Sequence, residues 1–237
     1  MNSWSLYDKL ISAIPESDRV TRCQVGPSWT AIETAGGLVG VNATQPGEPV
    51  DGARYVGMPL REAAALIKSW RFGEAALGVA ALNAAFNRAE DFPQNGEPDA
   101  FLRYQQQLMG KKVACIGHFA YLERRLQGLC DLYILERAPR PGDYPDPAAE
   151  YLLPEMDTVF ITGSALANKT LPRLMTLSRG AFTVLSGPSV PMCATLLDAG
   201  ADALCGFCVT DRERLWAAVA DTCGIFTTGR MVCLEKE

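Results

Sequence analysis

The feature that most constrains the fold is a series of five short apolar segments in the second half of the chain. In order, they are KVACIG at 112–117, DLYILE at 131–136, DTVFIT at 157–162, FTVLSG at 182–187 and DALCGFCV at 202–209. Each segment has the length of a strand and is followed by residues typical of a helix or a turn. Strands that are apolar along their whole length are typical of a parallel sheet with helices on both faces. We therefore predict an α/β domain with a parallel sheet.

The first half of the chain predicts an α+β domain. Three short strands are indicated at 19–25, 29–35 and 38–44, with Gly-Pro and Gly-Gly turn signals between them, which favours an antiparallel meander. Two helices follow, and the second of them, 74–86, is apolar nearly all the way round, so we expect it to be buried on most sides. The first has apolar residues at helical spacing that we expect to share one buried face: Leu60, Ala63, Ala64, Ile67 and Trp70.

A segment rich in Pro, Gly, Asn and acidic residues, FPQNGEPD at 92–99, separates the two patterns. Such composition is typical of a linker between domains. We therefore place the boundary near residue 97, with an N-terminal domain at 1–97 and a C-terminal domain at 98–237.

Composition excludes several function classes. The chain has 237 residues, 48% of them hydrophobic and 21% charged, which is typical of a globular protein. Its net charge of −5 and the lack of a basic tract make nucleic acid an unfavoured partner. The longest apolar stretch, at 75–82, is far shorter than the roughly 20 residues that span a membrane, so no membrane partner is expected. Asp8 and Lys9 interrupt any export signal, which favours a cytoplasmic location. A homo-oligomer remains open.

The candidate ligand-binding residues lie where the predicted parallel strands end. In open parallel sheets, ligands bind beyond the carboxyl ends of the strands, where backbone N–H groups favour anions. The segments that this rule selects are Gly117-His118-Phe119, Glu136-Arg137, Thr162-Gly163-Ser164 and Gly187-Pro188-Ser189.

The sequence contains partial matches to two nucleotide-binding motifs, and neither match is complete. The first strand end lacks the G-x-G-x-x-G fingerprint, although Glu136 lies about where an acid that binds ribose is expected. Gly163, Lys169 and Thr170 have P-loop spacing, but Asn168 replaces the second glycine that wraps the phosphates. Nucleotide hydrolysis is therefore unfavoured. Asn168 and Lys169 fit a ligand loop and an ordinary strand, turn and helix equally well.

The residues of metal-binding type form no obvious cage. His118 is the single histidine, so a metal site would need carboxylates, thiolates or the ligand's own donors as well. Eight scattered cysteines predict buried, reduced thiols and no disulfide framework. Cys205 and Cys208 form a C-x-x-C, but residues three apart on a strand point to opposite faces, which disfavours both zinc and redox chemistry.

Three further candidates lie in the first half. Trp29 and Thr30 follow a Gly-Pro-Ser turn, and Asn83 interrupts the apolar helix. A buried amide needs a hydrogen-bond partner, which is either neighbouring backbone or a ligand at the domain interface.

Taken in order, eight segments resemble the bacterial and archaeal family called putative heavy-metal chelatases. They are VGPSWTAIE, GMPLREAAALIKSW, GEAALGVAALNA, KKVACIGHF, LERAPRPGDYPDPAAEYLLPEMD, VFITGSALANKT, LSGPSVP and GADALCGFCVTD. The resemblance spans nearly the whole chain. It implies an N-terminal domain similar to that of enolase, a Rossmann-like C-terminal domain and a site in the cleft between them.

Three functions follow as hypotheses. The favoured one is a protein whose interdomain cleft binds an anionic or metal-chelating small molecule, with Lys169 as a cation. The first alternative is a transferase or ligase-like enzyme with a nucleotide-type cofactor and Glu136 at its ribose. The second is a metal-buffering or scaffold protein. A heavy-metal ion or a metal chelate is the candidate cofactor, and whether the protein is an enzyme stays open.

Overall fold

The computed structural model describes residues 4–93, 97, 99–119, 122–221 and 224–236. Its first part contains a three-stranded antiparallel sheet in the order β1-β2-β3. The strands are β1 (Val20–Val25), β2 (Trp29–Thr34) and β3 (Val39–Ala43). This sheet confirms the predicted meander.

The larger sheet has seven strands in the order β10-β9-β8-β7-β4-β5-β6, and β10 alone is antiparallel to its neighbour. When β4 is counted as strand 1, the six parallel strands have the doubly wound order 3-2-1-4-5-6. The crossovers reverse direction between β4 and β7. The strands are β4 (Lys112–Ile116), β5 (Asp131–Glu136), β6 (Tyr144–Pro145), β7 (Thr158–Thr162), β8 (Phe182–Ser186), β9 (Ala203–Val209) and β10 (Gly229–Glu235).

Eleven α-helices pack around these sheets in the described part of the chain. They are α1 (Ser5–Ser12), α2 (Leu60–Ala65), α3 (Phe72–Phe86), α4 (Ala100–Arg103), α5 (Gln105–Leu108), α6 (Leu122–Leu126), α7 (Ala149–Leu152), α8 (Ser164–Ala167), α9 (Leu171–Leu177), α10 (Ala194–Asp198) and α11 (Arg212–Ala220). Short 3₁₀ turns join several of them. Among the described residues, no helix is both long and apolar enough to cross a membrane.

The helix α3 is buried on nearly every side, as its sequence predicts. Two glycines allow this close packing. A Cβ atom on Gly40 of β3 would lie 2.1 Å from the Ala80 carbonyl oxygen, and one on Gly78 would lie 2.1 Å from the Ile67 nitrogen. The main hydrophobic core includes α3 and residues of both sheets' domains.

Trp70 is a correction to the predicted buried face. Leu60 and Ile67 are buried, but Trp70 is 72% exposed. The reason is that α2 ends at Ala65 in a 3₁₀ turn, and Ser69 is extended, so the helical periodicity stops before Trp70.

The N-cap of α11 is not the residue that a capping-box spacing would select. Thr210 and Glu213 have the spacing of a capping box, but the N-cap is Asp211, whose carboxylate accepts a hydrogen bond from the Arg214 N–H. Aspartate is a strong N-cap in its own right, because its side chain satisfies an unpaired amide of the first turn.

Buried amide hydrogen bonds join α3 to the larger domain. The Asn87 Nδ2 group donates to the carbonyls of Val190, at 2.9 Å, and Phe207, at 3.1 Å, and its Oδ1 accepts from the Met192 N–H at 2.8 Å. The boundary near residue 97 stays a prediction, and residues 94–96 and 98 of the linker lie outside the described residues.

For the cysteines, the structure corrects one expectation and agrees with another. Cys205 of β9 forms a disulfide with Cys233 of β10, although none was expected from the sequence. Cys205 and Cys208 lie on opposite faces of β9, since they pack in different hydrophobic clusters. Burial raises the pKa of the Cys208 thiol to about 12, which makes it a poor nucleophile. Cys223 lies outside the described residues.

The Asn87 hydrogen bonds predict a large effect on stability. Asn87→Ala leaves two carbonyls and one N–H buried without partners, so we expect the free energy of unfolding in urea to fall by about 3 kcal/mol. The matched control is Arg88→Ala, which removes an exposed pair with Asp91 and should cost less than about 0.5 kcal/mol. Equal losses in the two variants would contradict the assigned role of Asn87.

The disulfide predicts a dependence of stability on reductant. It closes a loop with a sequence separation of 28, which corresponds to about 3.6 kcal/mol in the chain-entropy model. Dithiothreitol should therefore lower the urea midpoint of the wild-type protein and leave that of Cys233→Ser unchanged. Peptide mapping without reductant should recover Cys205 linked to Cys233, and recovery of both as free thiols would show that this pairing is wrong.

Candidate functional site

A cavity of about 330 Å³ lies at the carboxyl ends of β4, β5 and β7. The doubly wound order places the switch between crossover directions at this edge, which is where ligands bind in open α/β sheets. Its walls are Gln45, Pro46, Ile116, Gly117, Leu135, Glu136, Arg137, Ala138, Asp146, Ala149, Thr162, Ser164, Ala165, Asn168, Thr170 and Leu174. A cavity of about 930 Å³ between α1, α9 and α10 is larger, but it lies away from these strand ends.

The Glu136 carboxylate links the ends of β4 and β5 through hydrogen bonds. Its Oε1 accepts a hydrogen bond from the His118 N–H at 3.0 Å, and its Oε2 accepts one from the Arg137 N–H at 2.7 Å. The chain can turn at Gly117 because this residue has a φ of +99°, which favours glycine. A Cβ atom there would also press on the Thr162 side chain at 3.1 Å.

Arg137 is the cation among the described residues that line the cavity. Its Nε donates to the Asp146 carboxylate at 3.2 Å, which orients the guanidinium beside the cavity. A guanidinium has five N–H donors, so this contact leaves Nη donors of the kind that carboxylates and phosphates engage.

Polar groups of the loop after β7 form another wall. Thr162 Oγ1 accepts from the Ser164 N–H at 3.4 Å. The Asn168 side-chain oxygen accepts from the Thr170 N–H at 3.1 Å and from its hydroxyl at 2.6 Å. These bonds hold an amide and three hydroxyl side chains at the cavity edge.

His118 is not among the cavity-lining residues and lies between two carboxylates. Its Nε2 is 2.8 Å from Glu123 Oε1, and its Nδ1 is 3.6 Å from Asp143 Oδ2. The two nitrogens therefore point to different carboxylates and do not converge with them on one point. Across the described ranges, no group of three or more His, Cys, Asp or Glu side chains could hold a metal ion.

Lys169 is not among the residues that line the cavity, and its ammonium contacts the N-terminal domain. Its ammonium donates to the Ser69 carbonyl and, at 2.7 Å, to the Ala167 carbonyl. Burial of the side chain lowers the pKa of Lys169 to about 8. Its backbone has a φ of +68°, a left-handed conformation that is unusual for a residue other than glycine.

The remaining predicted residues lie at the contact between the two domains or near it. The Asn83 amide donates to the Val41 carbonyl at 2.7 Å and to that of Pro188 at 3.2 Å, so its partners are backbone groups. The Ala43 N–H donates to Ser189 Oγ at 3.0 Å. Trp29, Thr30, Gly163 and Gly187 also lie outside the cavity lining.

Gly163 and Thr30 each make close contacts within their own domain. A Cβ atom on Gly163 would lie 2.4 Å from the Ser189 carbonyl carbon, and the Thr30 hydroxyl is 3.1 Å from that of Thr44. Trp29 instead packs edge-on against Phe226. The cavity residues from the first domain, Gln45 and Pro46, were not predicted, because nothing in a Pro-Gly loop indicates what it faces.

Two family models match the chain, at residues 7–86 and 99–234, and both are described as "Putative heavy-metal chelation". The second model, DUF364, covers more than half of the chain. The chain belongs to the DUF364 family. The other model is DUF4213.

Solved DUF364 structures share this fold. A crystal structure of a DUF364 protein of unknown function from Desulfitobacterium hafniense is 38% identical, covers 99% of both chains and superposes with a TM-score of 0.93. One from Pyrococcus horikoshii, 22% identical over 100% of both chains with a TM-score of 0.81, supports the fold alone. An uncharacterised protein of Methanocaldococcus jannaschii is 34% identical over 136 residues, which are 55% of this chain and 52% of that protein.

The left-handed backbone at Lys169 predicts an unusual substitution result. Lys169→Ala and Lys169→Gly remove the same ammonium group, but only glycine adopts a positive φ without steric cost. We expect the glycine variant to be more stable than the alanine variant by about 1 kcal/mol in urea unfolding. An alanine variant as stable as the glycine variant, or more so, would contradict the assigned backbone conformation.

Proposed function

We propose that the cavity binds an anionic, metal-chelating small molecule that supplies most of the donors to its metal. The observation that carries this proposal is the convergence of Arg137 with the polar groups of Thr162, Ser164, Asn168 and Thr170 at the switch point of the sheet. A small number of polar groups in a partly apolar pocket is the usual arrangement for a small ligand.

The charges of the cavity support an anionic ligand. Both Glu136 oxygens already accept backbone hydrogen bonds, which offset part of its negative charge. Asp146 is paired with Arg137. A ligand carboxylate or phosphate can therefore share Arg137 while its other oxygens reach the hydroxyl groups of the opposite wall.

The lack of a preformed cage in the described residues supports a chelate as the ligand. The family description names heavy-metal chelation. A protein without its own cage fits that description when the metal enters already bound by the ligand. A cytoplasmic location and contributions from His118 and Lys169 at the edge of the site remain parts of this proposal.

Glu136 favours one second candidate, an enzyme with a nucleotide-type cofactor. It is the last residue of β5, the second strand of the doubly wound order, and it lines the cavity. In dinucleotide-binding domains, an acid at this position contacts ribose. ADP or NAD that binds wild type and is lost in Glu136→Gln would support this candidate over the chelate.

The proposal predicts binding of chelates by isothermal titration. The zinc complexes of citrate and iminodiacetate should bind, and zinc alone should not be retained at stoichiometric amounts. Arg137→Gln should weaken chelate binding about tenfold or more, because it loses a charge-assisted hydrogen bond worth about 1.5–3 kcal/mol.

The matched control is Arg173→Gln, which removes an exposed arginine paired with Glu150 outside this cavity. Its affinity should equal that of wild type. If no chelate binds, or if Arg137→Gln binds as tightly as wild type, the cavity is not the site of this function.

A further inference from the structure

A row of aromatic rings and cations begins at the cavity and continues outward. The Arg137 guanidinium carbon lies 6.0 Å from the centre of the Phe72 ring. The Lys169 ammonium lies 5.2 Å from the same ring and 5.8 Å from the Trp70 ring. The row thus joins a residue of the cavity wall to an aromatic side chain on the surface.

Trp70 is the exposed member of this row. Its side chain is 72% exposed, although tryptophan is a largely buried residue type on average. The Trp4 ring packs edge-on against it, with centroids 5.9 Å apart, which restricts its orientation. An exposed ring that is held in place is already arranged to stack on another flat group.

The cation beside these rings is also fixed. Lys169 donates to the Ser69 and Ala167 carbonyls, and its backbone is left-handed, with a φ of +68°. Strained backbone of this kind is found most often at binding and catalytic sites. Phe226 provides a contrast, because it is 54% exposed but packs against Trp29 and Phe207 with no cation near its ring in the described contacts.

We propose that Phe72 and Trp70 form an aromatic outer wall of the ligand cleft and that the natural ligand is a planar, π-conjugated anion. This inference rests on the proposed function and adds the ligand's chemical class. The flat part of the ligand stacks on the rings, and its anionic groups lie near Arg137 and Lys169. An aliphatic chelate can place its anionic groups near the two cations, but it has no flat ring to stack on the aromatic side chains.

Two chelators with the same donor atoms test this proposal. Iminodiacetate and pyridine-2,6-dicarboxylate each bind zinc through one nitrogen and two carboxylates, and only the second contains an aromatic ring. Isothermal titration with the zinc complexes should show wild type binding the aromatic chelate at least about tenfold more tightly. Trp70→Ala and Phe72→Leu should each reduce this preference at least about fivefold, because ring stacking is lost, while binding of the iminodiacetate complex stays unchanged.

Phe226→Ala is the matched control and should keep the wild-type preference. Trp70→Leu, which keeps an apolar side chain but removes the ring, should behave as Trp70→Ala does. If wild type binds the two complexes equally, or if all ring variants keep its preference, the aromatic wall is wrong and the proposed function stands. If neither complex binds wild type, the proposed function itself fails.

Discussion

The burial of α3 between the two domains is the constraint on which the rest of the structure depends. One side of this helix packs on β2 and β3, where Gly40 allows backbone contact, and the other packs on α8 of the larger domain. A helix that is apolar all round has no solvent-facing side, so it is stable only when both domains cover it. Asn83 and Asn87 then set its position, because their buried amides have hydrogen-bond partners in the larger domain.

This packing also determines where the cavity forms. Because α3 and β3 lie against the loops that follow β7 and β8, the segment after β3 brings Gln45 and Pro46 over the carboxyl edge of the larger sheet. The same arrangement brings Phe72, the first residue of α3, near Arg137 and Lys169. The cavity therefore exists only in the assembled molecule, with walls from both domains.

The sequence predicts the apolar strands and the positions where they end, because continuous apolar runs and the geometry of parallel sheets determine both. Gly117, Glu136, Thr162, Ser164 and Asn168 do line one cavity. The direction of a long side chain is different, since it depends on neighbours that are distant in sequence. Lys169 illustrates this, because its ammonium donates to the carbonyl of Ser69, which lies 100 residues away in the sequence. Two strands were missed, since β6 has two residues and β10 carries charges among its apolar residues.

Those two missed strands are the edges of the larger sheet, and their composition has a consequence for self-association. Pro145 removes a backbone donor from β6, which is also too short to template another strand. At the opposite edge, Arg230 and Glu235 place charges on β10, and the disulfide to β9 holds that strand against its neighbour. Both edges therefore resist the addition of a strand from another molecule. Any homo-oligomer of this protein would have to form through surfaces other than these two edges.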